Sequence, residues 1–173
     1  MKVVVLTGPE SVGKSTLCNA LAQHYQAPLV SEYVRHYAEQ LPRDTCYDDI
    51  TPIAQQQLKN ELAARAQRPP LLLLDTHLLS NIVWSQTLFN AVPAWLEPAL
   101  LAQHYDLVAL LSPEGMAWEA DAVRCQPSLA ERRHFHQQLE RWLVSHHQPL
   151  LHVHGAWHER LAQLINAING LLS

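Results

Sequence analysis

The first 25 residues constrain the fold most. MKVVVLT is an apolar, β-branched run of strand length, and TLCNALAQHY repeats Leu17, Leu21 and Tyr25 at helical spacing. Between them lies GPESVGKST, with the spacing Gly8-x4-Gly13-Lys14-Ser15. Strand, glycine-rich loop and helix in this order form a cradle in which backbone N–H groups and the positive end of the helix converge on an anion. Lys14 would then reach the β- and γ-phosphates of a nucleoside triphosphate, and the Ser15 hydroxyl would ligate the Mg²⁺ that bridges them.

A second strand is expected to end near Val30, which places Ser31-Glu32-Tyr33 at its C-terminal edge. Ligands bind at that edge of an open parallel sheet, so Glu32 would face the same crevice as the loop. A polar helix from about Ser31 stops before Pro42, and Thr51-Pro52 reads as the cap and first turn of a long helix ended by Pro69-Pro70. LLLLD follows, the pattern of a strand buried on both faces that ends in an acid. Its terminal Asp75 would emerge beside Ser15 as a metal ligand, or would merely cap the next helix.

Two helices follow over HLLSNIVWSQTLFN and, opened by Pro93, PAWLEPALLAQHY. DLVALLS is a fourth strand, PLLHVH a fifth, and AWHERLAQLINAINGLL a closing amphipathic helix with Trp157, Leu161, Leu164, Ile165 and Ile168 toward the core. Residues 113–128 lack periodicity and read as a lid. In the helix after it, Arg132 shares a stripe with Phe135, Leu139 and Trp142. Arg132 therefore points toward the lid, where it would meet transferring phosphate or remain solvated. Strands alternating with helices through right-handed crossovers give an α/β three-layer sandwich, with a parallel five-stranded sheet in one domain over residues 1–173.

Composition narrows the function. A net charge of −4 gives nucleic acid and anionic membrane little attraction to the protein as a whole, and no apolar run reaches the roughly 18 residues of a membrane span. Three cysteines, Cys18, Cys46 and Cys125, form no C-x-x-C pair, which fits a reducing, cytoplasmic setting. His152 and His154 share a strand face without a third ligand at convincing spacing. No N-K-x-D tetrapeptide is present to read guanine, and the helical second domain of AAA⁺ motors has little chain left to form it. A small kinase, by contrast, needs a phosphate loop, a carboxylate for the acceptor hydroxyl and a lid, and each has a candidate here.

GPESVGKSTL, SEYVRHY, LLLLDTHLLSNIVWSQTLF and YDLVALLSPEGMAWEADAVR, in that order over nearly the whole chain, resemble the ribosylnicotinamide kinase domain of the bacterial NAD regulator NadR and its stand-alone AAA-type relatives. The resemblance implies that Glu10, Ser11, Val12, Gly13, Lys14, Ser15 and Thr16 bind ATP, joined by Gly8 of the loop, and that Ser15 and Asp75 hold Mg²⁺. It places Glu32 and Arg35 in one acceptor segment and Trp118, Asp121 and Arg124 in another. The implied reaction is phosphorylation of the ribose 5′-hydroxyl of nicotinamide riboside, a small-molecule nucleoside. Trp118 would stack on its cationic ring, Asp121 would bind ribose hydroxyls, Arg124 would steady the transferring phosphoryl, and Glu32 would orient the hydroxyl. Two family carboxylates are replaced, by His77 in Asp75-Thr76-His77 and by Ala120 before Asp121. Another nucleoside or nucleotide as acceptor, an ATP-dependent sensor without transfer, and a homo-oligomer all stay open.

Overall fold

The computed structural model describes residues 1–120 and 124–173. Strand β1 (Lys2–Thr7) leads through the loop to α1 (Lys14–Tyr25), and β2 (Leu29–Val30) to α2 (Tyr33–Ala38) and α3 (Tyr47–Ala66). Then come β3 (Leu71–Asp75), α4 (Leu78–Phe89), α5 (Leu96–Leu101), β4 (Leu107–Leu111), α6 (Leu129–Ser145), β5 (Leu150–Val153) and α7 (Trp157–Leu172). Among the described residues the five strands form one parallel sheet in the order β2-β3-β1-β4-β5.

Side chains of a strand alternate between faces, and here that alternation divides the core in two. Val3, Val5, Leu72, Leu74, Val108 and Leu110 face Phe135, Leu139 and Leu143 of α6 together with α3, α4 and α5. Val4, Leu6, Leu71, Leu73, Ala109 and Leu111 face Leu17, Cys18 and Leu21 of α1 and Leu164 and Ile168 of α7. Helices on both faces explain why KVVVL and LLLLD run apolar without a break.

Several expected boundaries move. The long helix begins at Tyr47, because Asp49 accepts the Cys46 N–H at 2.7 Å and caps it there. Pro52 thus lies in its second turn, and the Thr51 hydroxyl accepts the Trp95 indole N–H at 3.3 Å. Pro93 precedes α5, which starts only at Leu96, and α2 starts at Tyr33 rather than Ser31. In α6 the buried stripe closes with Leu143 in place of Trp142. In α7 Trp157 is exposed, while Arg160 is buried and donates to the carbonyls of Gly155 (2.7 Å), Val12 (3.3 Å) and Glu114 (3.4 Å). Burial disfavours the charged guanidinium, and its pKa is lowered accordingly.

Phe135 is fully buried and its ring lies 4.5 Å from that of Trp84. Phe135→Ala is expected to cost roughly 3–5 kcal/mol, read as a lower midpoint in urea unfolding.

Candidate nucleotide and acceptor site

The loop after β1 is forced by a close approach. Gly8 has φ 149°, and a Cβ on it would stand 2.8 Å from the Leu111 carbonyl oxygen at the end of β4. Gly13, at φ 81°, is the N-cap of α1, a left-handed position that suits glycine. Lys14 donates to the Gly8 carbonyl at 3.1 Å and the Pro9 carbonyl at 2.8 Å, so its ammonium lies across the loop.

Parallel pairing sets Asp75 opposite Leu6, and the Ser15 hydroxyl donates to Asp75 Oδ2 at 2.5 Å. Asp75 is 3% exposed, and its Oδ1 has no partner among the described residues. A buried carboxylate oxygen left over beside a hydroxyl suits a hard divalent cation such as Mg²⁺. The Cys18 thiol feels the charges of Asp75, Lys14 and Glu32, and its pKa is raised first by burial and then by Asp75.

A cavity of about 1010 Å³ runs from this loop into the space between α2, α3 and α4. Glu10 through Thr16 line one end, and Glu32, Arg35, Thr76 and Arg124 line its walls. Glu32 is the N-cap of α2, and Arg35 Nε stands 3.7 Å from its Oε2. Along α3 and α4 the wall carries Ile50, Ile53, Trp84 and Phe89 together with Gln57, Ser80 and Asn81. Over it folds the stretch 39–46, held by Asp49, which accepts bonds from Arg43 (2.7 and 3.1 Å), the Tyr37 hydroxyl (2.9 Å) and the Cys46 N–H. The Arg43 guanidinium holds the Asp49 carboxyl well below the usual carboxylate range.

Some expected residues sit elsewhere. Trp118 is not in the cavity wall: its indole N–H donates to Glu10 Oε1 at 2.7 Å. Glu10 also accepts the backbone N–H groups of Gln126 (2.5 Å) and Cys125 (3.1 Å). Its carboxylate is therefore turned toward the segment after β4, tying Trp118, Cys125 and Gln126 to the phosphate loop. Ser11 reinforces this by accepting the Glu119 N–H at 3.2 Å. Tyr33 points away from the cavity into a shallower groove with His36 and Asn60. Arg132 is buried rather than solvated and donates to the Met116 carbonyl at 3.0 Å, so it holds the lid entry. Arg124 lines the cavity and donates to the Glu119 carbonyl at 2.6 Å. Asp121 lies outside the described residues.

His77 is fully enclosed, edge-on to Tyr105 at 4.9 Å, and burial lowers its pKa to about 3. His77 is not among the residues that line the cavity. His152 lies 3.5 Å from Glu140, and among the described residues no group of three or more His, Cys, Asp or Glu could hold a metal ion. No helix among them is long and apolar enough to cross a membrane.

A family profile described as an AAA domain matches residues 3–160. The chain belongs to that AAA family. No curated protein sequence matches it. Among solved structures, NadR in complex with NAD and AMP-PNP superposes with a TM-score of 0.74 at 23% identity, over 98% of this chain and 49% of that one. NadR in complex with NR gives 0.75 at 22% identity, over 98% and 51%. The AAA-family chain thus spans about half the length of the NadR chains it matches. Deoxyadenosine kinase from M. mycoides with bound products superposes at 0.63 with 12% identity, over 97% of this chain and 99% of that one. These likenesses establish a P-loop kinase fold.

Sequence reading missed Gln57, Trp84, Arg43 and Arg160. Trp84 stood in a helical pattern indistinguishable from core, and nothing local distinguishes a buried glutamine.

Glu10→Gln leaves one acceptor oxygen for three donors. Amide hydrogen exchange at Cys125 and Gln126 is expected to rise about tenfold or more, since bonds to charged groups contribute roughly 1.5–3 kcal/mol, while exchange in α6 stays unchanged. Asp49, with its pKa depressed in the fold, contributes stability that is present above its unfolded pKa of about 3.9 and lost as pH falls from there toward the folded value. The urea midpoint should therefore drop below about pH 4, and Arg43→Met should flatten that acid dependence.

Proposed function

We propose that the protein is an ATP-dependent kinase that phosphorylates the ribose 5′-hydroxyl of nicotinamide riboside. The observation that carries this reading is one continuous cavity lined by the phosphate loop, by Glu32 and, along α3 and α4, by Ile53, Trp84 and Phe89 with Gln57 and Asn81. A triphosphate held by the N–H groups of Gly13 to Thr16 and by Lys14 would direct its γ-phosphoryl toward Glu32. Ser15 and Asp75 would hold Mg²⁺, which when bound neutralises charge developing on the phosphate oxygens.

Glu32 would accept a hydrogen bond from the 5′-hydroxyl and aim its oxygen at the γ-phosphorus. That oxygen forms the new P–O bond as the bond to ADP breaks, and the hydroxyl proton passes to Glu32. Arg124 would steady the phosphoryl oxygens. The lid, tied to the loop through Glu10, would exclude the water that otherwise competes as acceptor.

Nicotinamide riboside is favoured over other nucleosides on two grounds. The family resemblance spans the chain, and a NadR structure of the same fold was solved with NR. Trp84, in place of Trp118, offers the aromatic wall for a cationic ring. A cytoplasmic setting fits a reaction that draws on ATP.

Incubation with Mg·ATP and a nucleoside panel, read by mass spectrometry, tests the assignment. Nicotinamide riboside should gain one phosphoryl group, and Lys14→Ala should abolish the product. Glu32→Gln should lower kcat by roughly 10²-fold or more with the KM for ATP unchanged. Product from a different nucleoside alone would replace the acceptor. ATP binding without any phosphorylated product would favour a nucleotide sensor.

A further inference from the structure

Gln57 lies on α3 within the cavity wall, 2% exposed, in a buried stripe with Ile53, Ala54 and Glu61. Its Oε1 accepts the Tyr33 backbone N–H at 2.7 Å. A backbone N–H can only donate, so this bond fixes which way the amide is turned: the oxygen faces α2, and the NH₂ group faces the other way. Nε2 is buried and has no partner among the described residues. The Tyr33 N–H itself is one of the unsatisfied donors at the start of α2, where the Glu32 cap makes no side-chain bond, so the anchor is built into the fold.

A buried donor without an acceptor is costly, and an apolar residue at position 57 would fill the stripe without that cost. Tyr33 requires only the amide oxygen. The NH₂ group is left for something else, and Gln57 is one of the residues that line the cavity.

We propose that Gln57 is a specificity-determining residue that reads the acceptor's base. Its Nε2 donates to a carbonyl oxygen carried by the planar ring, which lies along Trp84 in the same wall. The substrate class is a riboside whose base bears an exocyclic carbonyl oxygen; a ring without one leaves the donor unpaired. Sites built around a buried polar group reject ligands that leave it unmatched much more strongly than apolar pockets reject a missing methylene. This inference rests on the cavity being the acceptor site and adds the group that selects the base.

The test compares two ribosides of equal charge, nicotinamide riboside and the pyridine riboside that lacks the carboxamide, by calorimetric titration with a non-hydrolysable ATP analogue and Mg²⁺ present. The wild-type protein should bind nicotinamide riboside about tenfold or more tightly than pyridine riboside. In Gln57→Met the two should bind within about threefold of each other, with pyridine riboside unchanged. Gln57→Glu, measured at pH 8, retains an acceptor for Tyr33 and should also lose the discrimination, which covers a failure of the methionine variant to fold. Equal binding of the pair by wild type, or a gap that persists in both variants, overturns the proposal. Uridine separates the two readings: if it binds and nicotinamide riboside does not, and its affinity falls about tenfold in Gln57→Met, then the choice of nicotinamide riboside fails while the role of Gln57 stands. If no riboside binds the wild type, both fall.

Discussion

Parallel pairing of β1 with β3, with Leu6 opposite Asp75, is the constraint from which the site follows. It brings the end of one strand beside the start of the loop that follows the other, so that a hydroxyl on the first turn of α1 meets a carboxylate sixty residues later in the chain. β4, on the other side of β1, crowds the turn at Gly8 to the point where a Cβ would strike the Leu111 carbonyl. The strands are buried on both faces, so this register cannot slip without exposing an apolar set, and the loop inherits that rigidity.

Around this frame, charged side chains are held mainly by backbone groups. Glu10 gathers two lid amides and an indole N–H, Arg132 binds the Met116 carbonyl, and Arg160 binds carbonyls from three separate loops. Loops have no ladder to satisfy their N–H and C=O groups, so a forked or bidentate side chain that collects several of them fixes their position. In this protein that device joins the phosphate loop to the lid on one side and to α7 on the other. A shift of either loop would leave a buried charge without partners, which couples their positions.

The end of the cavity away from the phosphate loop is built on a different principle. Its wall mixes Ile50, Ile53, Trp84 and Phe89 with Gln57, Ser80 and Asn81, and the stretch 39–46 over it is pinned at one point, where Asp49 collects Arg43, Tyr37 and Cys46. An apolar chamber with a few fixed polar groups orients a ligand by those groups while the rest of the wall supplies contact area. Gln57, turned by Tyr33, is such a group, and Glu32 next to Tyr33 is another, so one helix start orients both.

Much of this was legible in the linear order of residues. The apolar runs at Val3 and Leu71, the glycine spacing and the acid at position 75 each follow from a local rule, because strand burial, helix dipole and loop curvature depend on near neighbours. Helix starts at Tyr47 and Leu96 were not legible, since Asp49 and the tertiary contact of Thr51 with Trp95 decided them. The same holds for side chains whose partners lie far along the chain. The Glu10 carboxylate collects Trp118 and the amides of Cys125 and Gln126, Trp118 is engaged by Glu10, and Trp84 lies in the cavity wall. The sequence by itself determined the strand and helix order and the phosphate loop, through periodicity and spacing. Only the tertiary structure decided which polar groups face the cavity, because a buried amide or guanidinium turns toward whichever partner the packing brings within reach.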